Sequence, residues 1–127
     1  VAVEINVETR GVVEFQAKME KANFYIQREI HNRLREVGFA MHMTARHLAP
    51  VKTGRLRDSI YSRVEDWLLK LGATVPYAQF QEFGTRHFPG RFFLTEAINL
   101  NLPRLVQLMN WAIEIAIKTA AAEARWA

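Results

Sequence analysis

Cysteine is absent from the 127-residue chain, which excludes a disulfide framework and any thiolate metal centre. Without it a small secreted scaffold is unexpected, and nothing else follows about compartment. Long apolar runs are also missing. No stretch approaches the ~20 residues that span a bilayer, so no membrane partner is expected. The start, Val1 to Glu8, alternates apolar with acidic or polar residues and lacks the basic-then-apolar order of a signal peptide, which suggests a chain made and kept in the cytoplasm until it is assembled. Glycine (6) and proline (4) are scarce enough that each one is a landmark. No segment repeats and none is of low complexity.

The residues of catalysis are similarly thin. The histidines are His31, His42, His47 and His87. His42 and His47 stand five apart, about 140° around a helix, and cannot share a metal as an i, i+4 pair can. Ser59 and Ser62 lack a Gly-x-Ser-x-Gly elbow, and the stretch from Gly84 to Gly90 lacks the spacing and the lysine of a phosphate loop. Asp58, Asp66 and Glu82 are too scattered to argue for an acid/base pair. Glu82, just before Phe83-Gly84-Thr85, is expected to bond to backbone or to a cation, as carboxylates at turns do. The expectation is a protein that is not an enzyme and needs no cofactor or metal.

What is present is a chain of single-domain size, residues 1–127, with 50% hydrophobic residues. Its net charge of +4 is unevenly placed: residues 51–91 hold seven Lys/Arg against four Asp/Glu, and the rest is nearly balanced. A basic excess of this size suits contact with a polyanion and equally an ordinary solvated surface.

In order along the chain, Val1, Val3, Ile5 and Val7 share one face of a half-buried strand at a sheet edge. Thr9-Arg10-Gly11 turns the chain. From Val13 to Leu48 every apolar step is three or four, the stripe of one helix roughly 50 Å long with a possible bend at Gly38. Pro50 should stop it, because proline pushes Ala49 out of helical space, and Gly54 gives the following turn its freedom. Arg57 to Val64 and Trp67 to Val75 read as two strands around a Glu65-Asp66 corner, with a bulge suggested at Gly72. Tyr77 to Phe83 alternates as a third strand would, and 84–91 is a loop. A helical pattern opens near Phe92, and Pro103 is expected in the first turn of a separate last helix. The expected fold is α+β, with order β-α-β-β-β-α: a long N-terminal helix and a C-terminal helix packed on a small, mostly antiparallel sheet.

Tyr77, Phe80, Phe83, Phe88, Phe92 and Phe93 cluster, with only Arg86 and Arg91 interleaved. A platform for single-stranded nucleic acid would carry more cations among its rings. Core and subunit interface explain the cluster better.

Three ordered pieces then carry a resemblance. They are Ala49-Pro50-Val51-Lys52-Thr53-Gly54-Arg55-Leu56-Arg57-Asp58-Ser59-Ile60, then Tyr77-Ala78 with Glu82-Phe83-Gly84-Thr85, then Phe93-Leu94 before a helix. In that order and spacing the chain resembles the small head–tail joining proteins of long-tailed bacteriophages, the neck or tail-completion components. It departs from them at Phe92, where the family usually has proline. The resemblance implies a structural virion protein, made in the host cytoplasm, forming a ring, commonly six-fold, at the head–tail junction. Its partners would be further copies of itself, the neighbouring connector or head-completion proteins and the tail-tube proteins. Pro50, Thr53, Gly54, Leu56, Tyr77, Ala78, Glu82, Gly84, Thr85, Phe93 and Leu94 would shape the conserved turns and core. Lys52, Arg55, Arg86 and Arg91 would face double-stranded DNA passing through the channel. The alternative class is a small basic nucleic-acid-binding module, resting on the charge and the aromatic cluster.

Overall fold

The computed structural model describes residues 3–50 and 54–126, and Val1, Ala2, Val51, Lys52, Thr53 and Ala127 lie outside the described residues. The expected α+β architecture holds: helices pack on one face of a small antiparallel sheet. The element order is longer than expected. Strand β1 (Val3–Asn6) leads to helices α1 (Val12–Lys21), α2 (Phe24–Leu48) and α3 (Arg55–Ser59). Strands β2 (Ile60–Glu65) and β3 (Leu68–Ala73) follow, then helix α4 (Ala78–Phe83), the two-residue strands β4 (Gly84–Thr85) and β5 (Phe88–Pro89), and helix α5 (Phe93–Trp126).

The sheet order is β1-β3-β2, antiparallel throughout, so β1 is an edge strand as its alternation indicates. Val3, Ile5, Ile60, Ser62, Val64, Leu69, Leu71 and Ala73 share the face toward α2, with Val3 opposite Ala73 and Ser62 opposite Leu71. The β2–β3 turn falls on Asp66 and Trp67, one residue later than the Glu65-Asp66 corner, and both have positive φ (51° and 64°). Two such residues mark a type I′ turn, whose twist matches the strands it joins. The Trp67 ring is held there edge-on to Phe15 (6.3 Å) and to His31 (5.7 Å).

Several expectations are corrected. The helical stripe from Val13 is two helices, not one: the chain leaves helical space at Ala22 and restarts after Asn23, whose side chain accepts the Ile26 N–H at 3.0 Å. That is an ordinary N-cap, and Met19, Ala22 and Ile26 keep their three- and four-residue steps across it. Gly38 is no bend. It lies inside continuous α2, where a Cβ would come within 2.6 Å of Leu69 Cδ1, so its bareness lets the helix sit close on the sheet. Tyr77 to Phe83 is not a third strand but largely helix α4, with Ala78 and Glu82, four apart, turned inward. Arg57 to Ser59 is likewise helical, within α3. Pro103 starts no new helix, for α5 runs through it. Its ring is exposed, and the missing N–H leaves the Asn99 carbonyl without its helical donor.

Gly72 makes no bulge, since pairing runs unbroken through it from Glu4 on one side and Tyr61 on the other. A Cβ at this position would meet Tyr61 Oη at 2.6 Å and the Val3 carbonyl oxygen at 2.5 Å. The bare backbone is what allows the Tyr61 ring to lie across the sheet and donate its hydroxyl proton to Glu4.

The core sits where α2 crosses the sheet and α5 crosses α2, centred on Phe15, Ile30, Leu34, Met41, Leu69, Leu71 and Met109. One buried polar link ties the two long helices: Asn101 Nδ2 donates to Thr44 Oγ1 (3.0 Å) and to the Ala97 carbonyl (2.9 Å). At the far end Asn23 Nδ2 donates to Glu123 (3.0 Å), and Arg33 lies over the Trp111 ring (4.8 Å).

Candidate functional site

Helix α2 ends where proline predicts. Ala49 is extended (φ −64°, ψ 139°) and Pro50 follows it. Gly54, with φ 82°, begins α3, which buries Leu56. Thr53 and Lys52 lie outside the described residues. Arg55 projects from α3 and is exposed, although it is engaged in an interaction of its own.

The second and third pieces of the sequence pattern meet through one carboxylate. Glu82 is fully buried in the last turn of α4. It accepts hydrogen bonds from the Leu94 amide (2.7 Å), the Thr95 amide (3.3 Å) and the Thr95 hydroxyl. Those amides belong to the first turn of α5, whose N–H groups have no partner within the helix. A carboxylate there satisfies them and complements the positive end of the helix dipole. Glu82 is therefore a cap supplied from another element, the backbone-bonding role expected of it. Phe93 and Leu94, both buried, anchor the same turn in the core.

The backbone is locked around this cap. The Arg91 N–H donates to the Gln81 carbonyl (2.8 Å) and the Phe92 N–H to the Glu82 carbonyl (3.0 Å). Gly84 has φ 83°, and a Cβ on it would lie 2.4 Å from the Gly90 amide nitrogen. A Cβ on Gly90 would lie 2.4 Å from the Glu82 carbonyl oxygen. The two glycines let the strands of the β4–β5 hairpin close on each other. Thr85 Oγ1 accepts the His87 N–H (3.1 Å) at the hairpin tip. Phe92 has φ 49° and spends its N–H on Glu82, and proline could do neither. This chain thus enters α5 by a different backbone path from one with proline at that position.

On this frame the aromatic cluster divides. Phe93 is core, but Tyr77, Phe80, Phe83, Phe88 and Phe92 are between 36% and 57% exposed. Five rings exposed on one short helix–hairpin unit are apolar exposure of the kind that marks an interface. Arg86 and Arg91 are exposed at its margin. Ala78, fully buried, holds α4 down at the start of the unit.

Sequence reading brought Glu82, Gly84, Thr85, Phe93 and Leu94 together as pieces of one pattern; in the structure Glu82 caps α5 at Leu94 beside buried Phe93, while Gly84 and Thr85 belong to the adjoining hairpin. It did not show the charged network on the sheet's outer face. There Glu4 accepts from Arg63 Nη2 (2.7 Å), Arg63 Nε (2.9 Å) and Tyr61, and Arg63 also pairs with Glu65. The hydrogen bonds from Arg63, then from Tyr61, lower the Glu4 carboxyl to about 2. Desolvation, then the bond to Glu4, raises the Tyr61 hydroxyl to about 12. The i, i+2 alternation in β2 could have placed Tyr61 and Arg63 on one face, but only the register puts Glu4 between them.

Among the described residues no group of His, Asp and Glu could hold a metal ion. His42 packs edge-on to Phe39 (6.0 Å), and its Nε2 is buried without a partner. Desolvation, then the nearby Arg46, lowers its pKa. Among the described residues no helix is long and apolar enough to cross a membrane.

Compared with curated proteins and with solved structures, the chain has no significant match in either. The family model of the bacteriophage HK97-gp10-like proteins, described as a tail component, matches residues 13–84, more than half of the 127. The matched span runs from α1 to Gly84 and so contains residues 50–54, strands β2 and β3, α4 and the capping Glu82. The chain belongs to the HK97-gp10-like family of bacteriophage tail components.

Proposed function

We propose that this structural phage protein acts at the head–tail junction, assembling there into a ring that completes the tail or joins it to the head and lets DNA pass. The observation that carries the reading is the exposed aromatic surface on the α4 and β4–β5 unit. Its backbone is pinned by the buried Glu82 cap and by the Gly84–Gly90 contact. A surface held rigid before contact loses little conformational freedom on docking, which suits a protein whose work is assembly. The partners are further copies of the chain, commonly six, with connector and head-completion proteins on one side and tail-tube proteins on the other. DNA sliding through such a ring calls for diffuse positive charge without base readout. Lys52, Arg55, Arg86 and Arg91 are the residues proposed to supply it.

The test is electron microscopy of particles made by the parent phage or prophage with this gene deleted. DNA-filled heads beside separate, complete tails are expected. Overlong or malformed tails would move the role to tail termination. Normal infectious virions would overturn the structural role altogether. Salt-dependent DNA binding by a protein that never enters particles would then favour a nucleic-acid-binding module.

A further inference from the structure

The corner between α2 and α3 carries more positive charge than it has carboxylates to answer it. Residues 46–58 hold Arg46, Lys52, Arg55 and Arg57 against Asp58 alone. Arg46, in the last turn of α2, reaches across to α3: its Nη1 donates to the Arg57 carbonyl (3.2 Å) and its Nη2 stands 3.6 Å from Asp58 Oδ1. That ion pair is loose. Arg33 and Arg63 hold their carboxylates at 2.9 and 2.7 Å, and the Asp58 side chain is 74% exposed against 32% for Arg46. Solvent therefore screens most of what Asp58 offers.

Arg57 has less. It is half-buried, its Nε is buried without a hydrogen-bond partner, and among the described residues no carboxylate pairs with it. A guanidinium keeps its charge inside a protein, so a sheltered one is ordinarily matched by an anion. His42 lies one turn before Arg46. Its Nε2 is also buried and unpartnered, and desolvation, then Arg46, holds its pKa down. The other charged or titratable groups in the groove beside His42 are His31, Arg35, Glu36 and Arg63, and Arg63 is spent on Glu4 and Glu65. The corner thus gathers sheltered donors around one weakly held acceptor.

We infer that the α2–α3 corner is an anion site, in which the guanidinium groups of Arg46 and Arg57 engage the phosphate backbone of double-stranded DNA. Arginine presents a fork of N–H donors that matches phosphate geometry. A protein carboxylate has a similar geometry, but four cations against one acid set up a field that favours a polyanion over a single acidic side chain. The corner also lacks the apolar centre of a protein interface, since its one large apolar side chain in the open, among the described residues, is Leu48 at 38%. Phosphate contacts position a duplex and read no bases, which agrees with DNA that has to pass. The inference rests on the DNA passage proposed above and adds Arg46 and Arg57 to the residues that meet it.

Fluorescence anisotropy of the purified full chain with a short labelled duplex tests the site, read as the slope of log affinity against log salt. One lost phosphate contact flattens that slope by ~0.9 and weakens binding about eightfold at ~0.1 M salt. Arg57→Gln is expected to do both and to melt as the wild type does, because its side chain gives up no bond within the described residues. Arg104→Gln removes the same charge on α5, beside Arg33 and Glu36, and is expected to leave the slope unchanged. The His42 titration, followed by NMR in the wild-type chain, decides the matter if Arg57→Gln fails to fold. An anion that neutralises Arg46 relieves one of the two influences on His42, so the duplex should raise its pKa. No duplex binding at low salt, an unchanged slope in Arg57→Gln, an equal loss in Arg104→Gln or an unmoved His42 overturns the site. So does polyglutamate that displaces the duplex at equal charge, which would assign the corner to an acidic protein. None of these measurements uses particles, so the site can fail while the junction role stands, and particles of the deletion strain can contradict that role without altering the slope.

Discussion

Replacing Glu82 tests the cap that organises the α4–α5 corner. In Glu82→Ala the Leu94 amide loses its acceptor inside the core, and the Thr95 amide and hydroxyl, half-buried, lose theirs. A buried donor left without a partner costs ~1–3 kcal/mol, and water can reach the Thr95 groups in part. Loss of the charge at the helix N-terminus adds ~0.5–1 kcal/mol. The expected destabilisation by alanine is about 3–5 kcal/mol, a large part of the stability of a domain this size. Glu82→Gln keeps one carbonyl oxygen for Leu94 but turns an NH2 toward Thr95, and should cost about 1–2 kcal/mol. Urea unfolding followed by circular dichroism, with unchanged m-values, measures both. Equal losses for glutamine and alanine would show that the carboxylate is not distributing itself over two residues. A loss below ~1 kcal/mol in alanine would show that water or backbone movement replaces the cap.

Gly84→Val should destabilise the protein by more than the ~1 kcal/mol of an ordinary left-handed glycine replacement, because its Cβ meets the Gly90 backbone as well as a positive φ. A variant with wild-type melting that still enters particles would refute this. The Glu4–Tyr61–Arg63 network should make stability fall at both ends of the pH range. Glu4, held at about 2 against 4.5, contributes stability that is full above pH 4.5 and lost as pH falls through 2. Tyr61, raised to about 12 from 10.0, contributes stability that is full below pH 10 and lost as pH rises through 12. Both limbs are softened by solvent, since the Arg63 side chain is 45% exposed. Glu4→Gln should flatten the acid limb of a melting-temperature profile and Tyr61→Phe the alkaline limb, and an unchanged profile in either would count against the network.

The sequence makes the long periodic elements plain and the short ones ambiguous. A stripe of three- and four-residue steps cannot reveal the break at Asn23, because the steps continue across it; the signal was the capping residue itself, followed by the exposed Phe24 and Tyr25. Seven residues from Tyr77 satisfy both a strand's alternation and a helix's i, i+4 face, and only the burial of Ala78 with Glu82 decides between them. Gly38 and Gly72 look like weak points in isolation. Each is set by a partner distant in the chain, Leu69 in one case and Tyr61 with Val3 in the other. Pro103 reads as a boundary because a local rule says so, yet α5 is held on both sides of it by Asn101 and Leu105 in the core. The three pieces of the sequence pattern were legible as pieces. That Glu82 reaches twelve residues on to cap α5 was not, because hydrogen bonding across elements leaves no periodic trace.

The place of β1 has a consequence for how the protein is made. The β2–β3 hairpin, closed by a two-residue turn, can form in microseconds once Ala73 has left the ribosome. β1 is synthesised before that hairpin and must wait for it, since its only described partner is β3, about seventy residues later. α1 waits longer still, for it packs on α5, and the corner at Asn23 is fastened to Glu123. Residues 3–21 therefore leave the ribosome before their partners and find their places only when those have followed. Until β3 has emerged the newly made chain exposes an apolar, unpaired strand, and α1 stays without its packing partner until α5 follows.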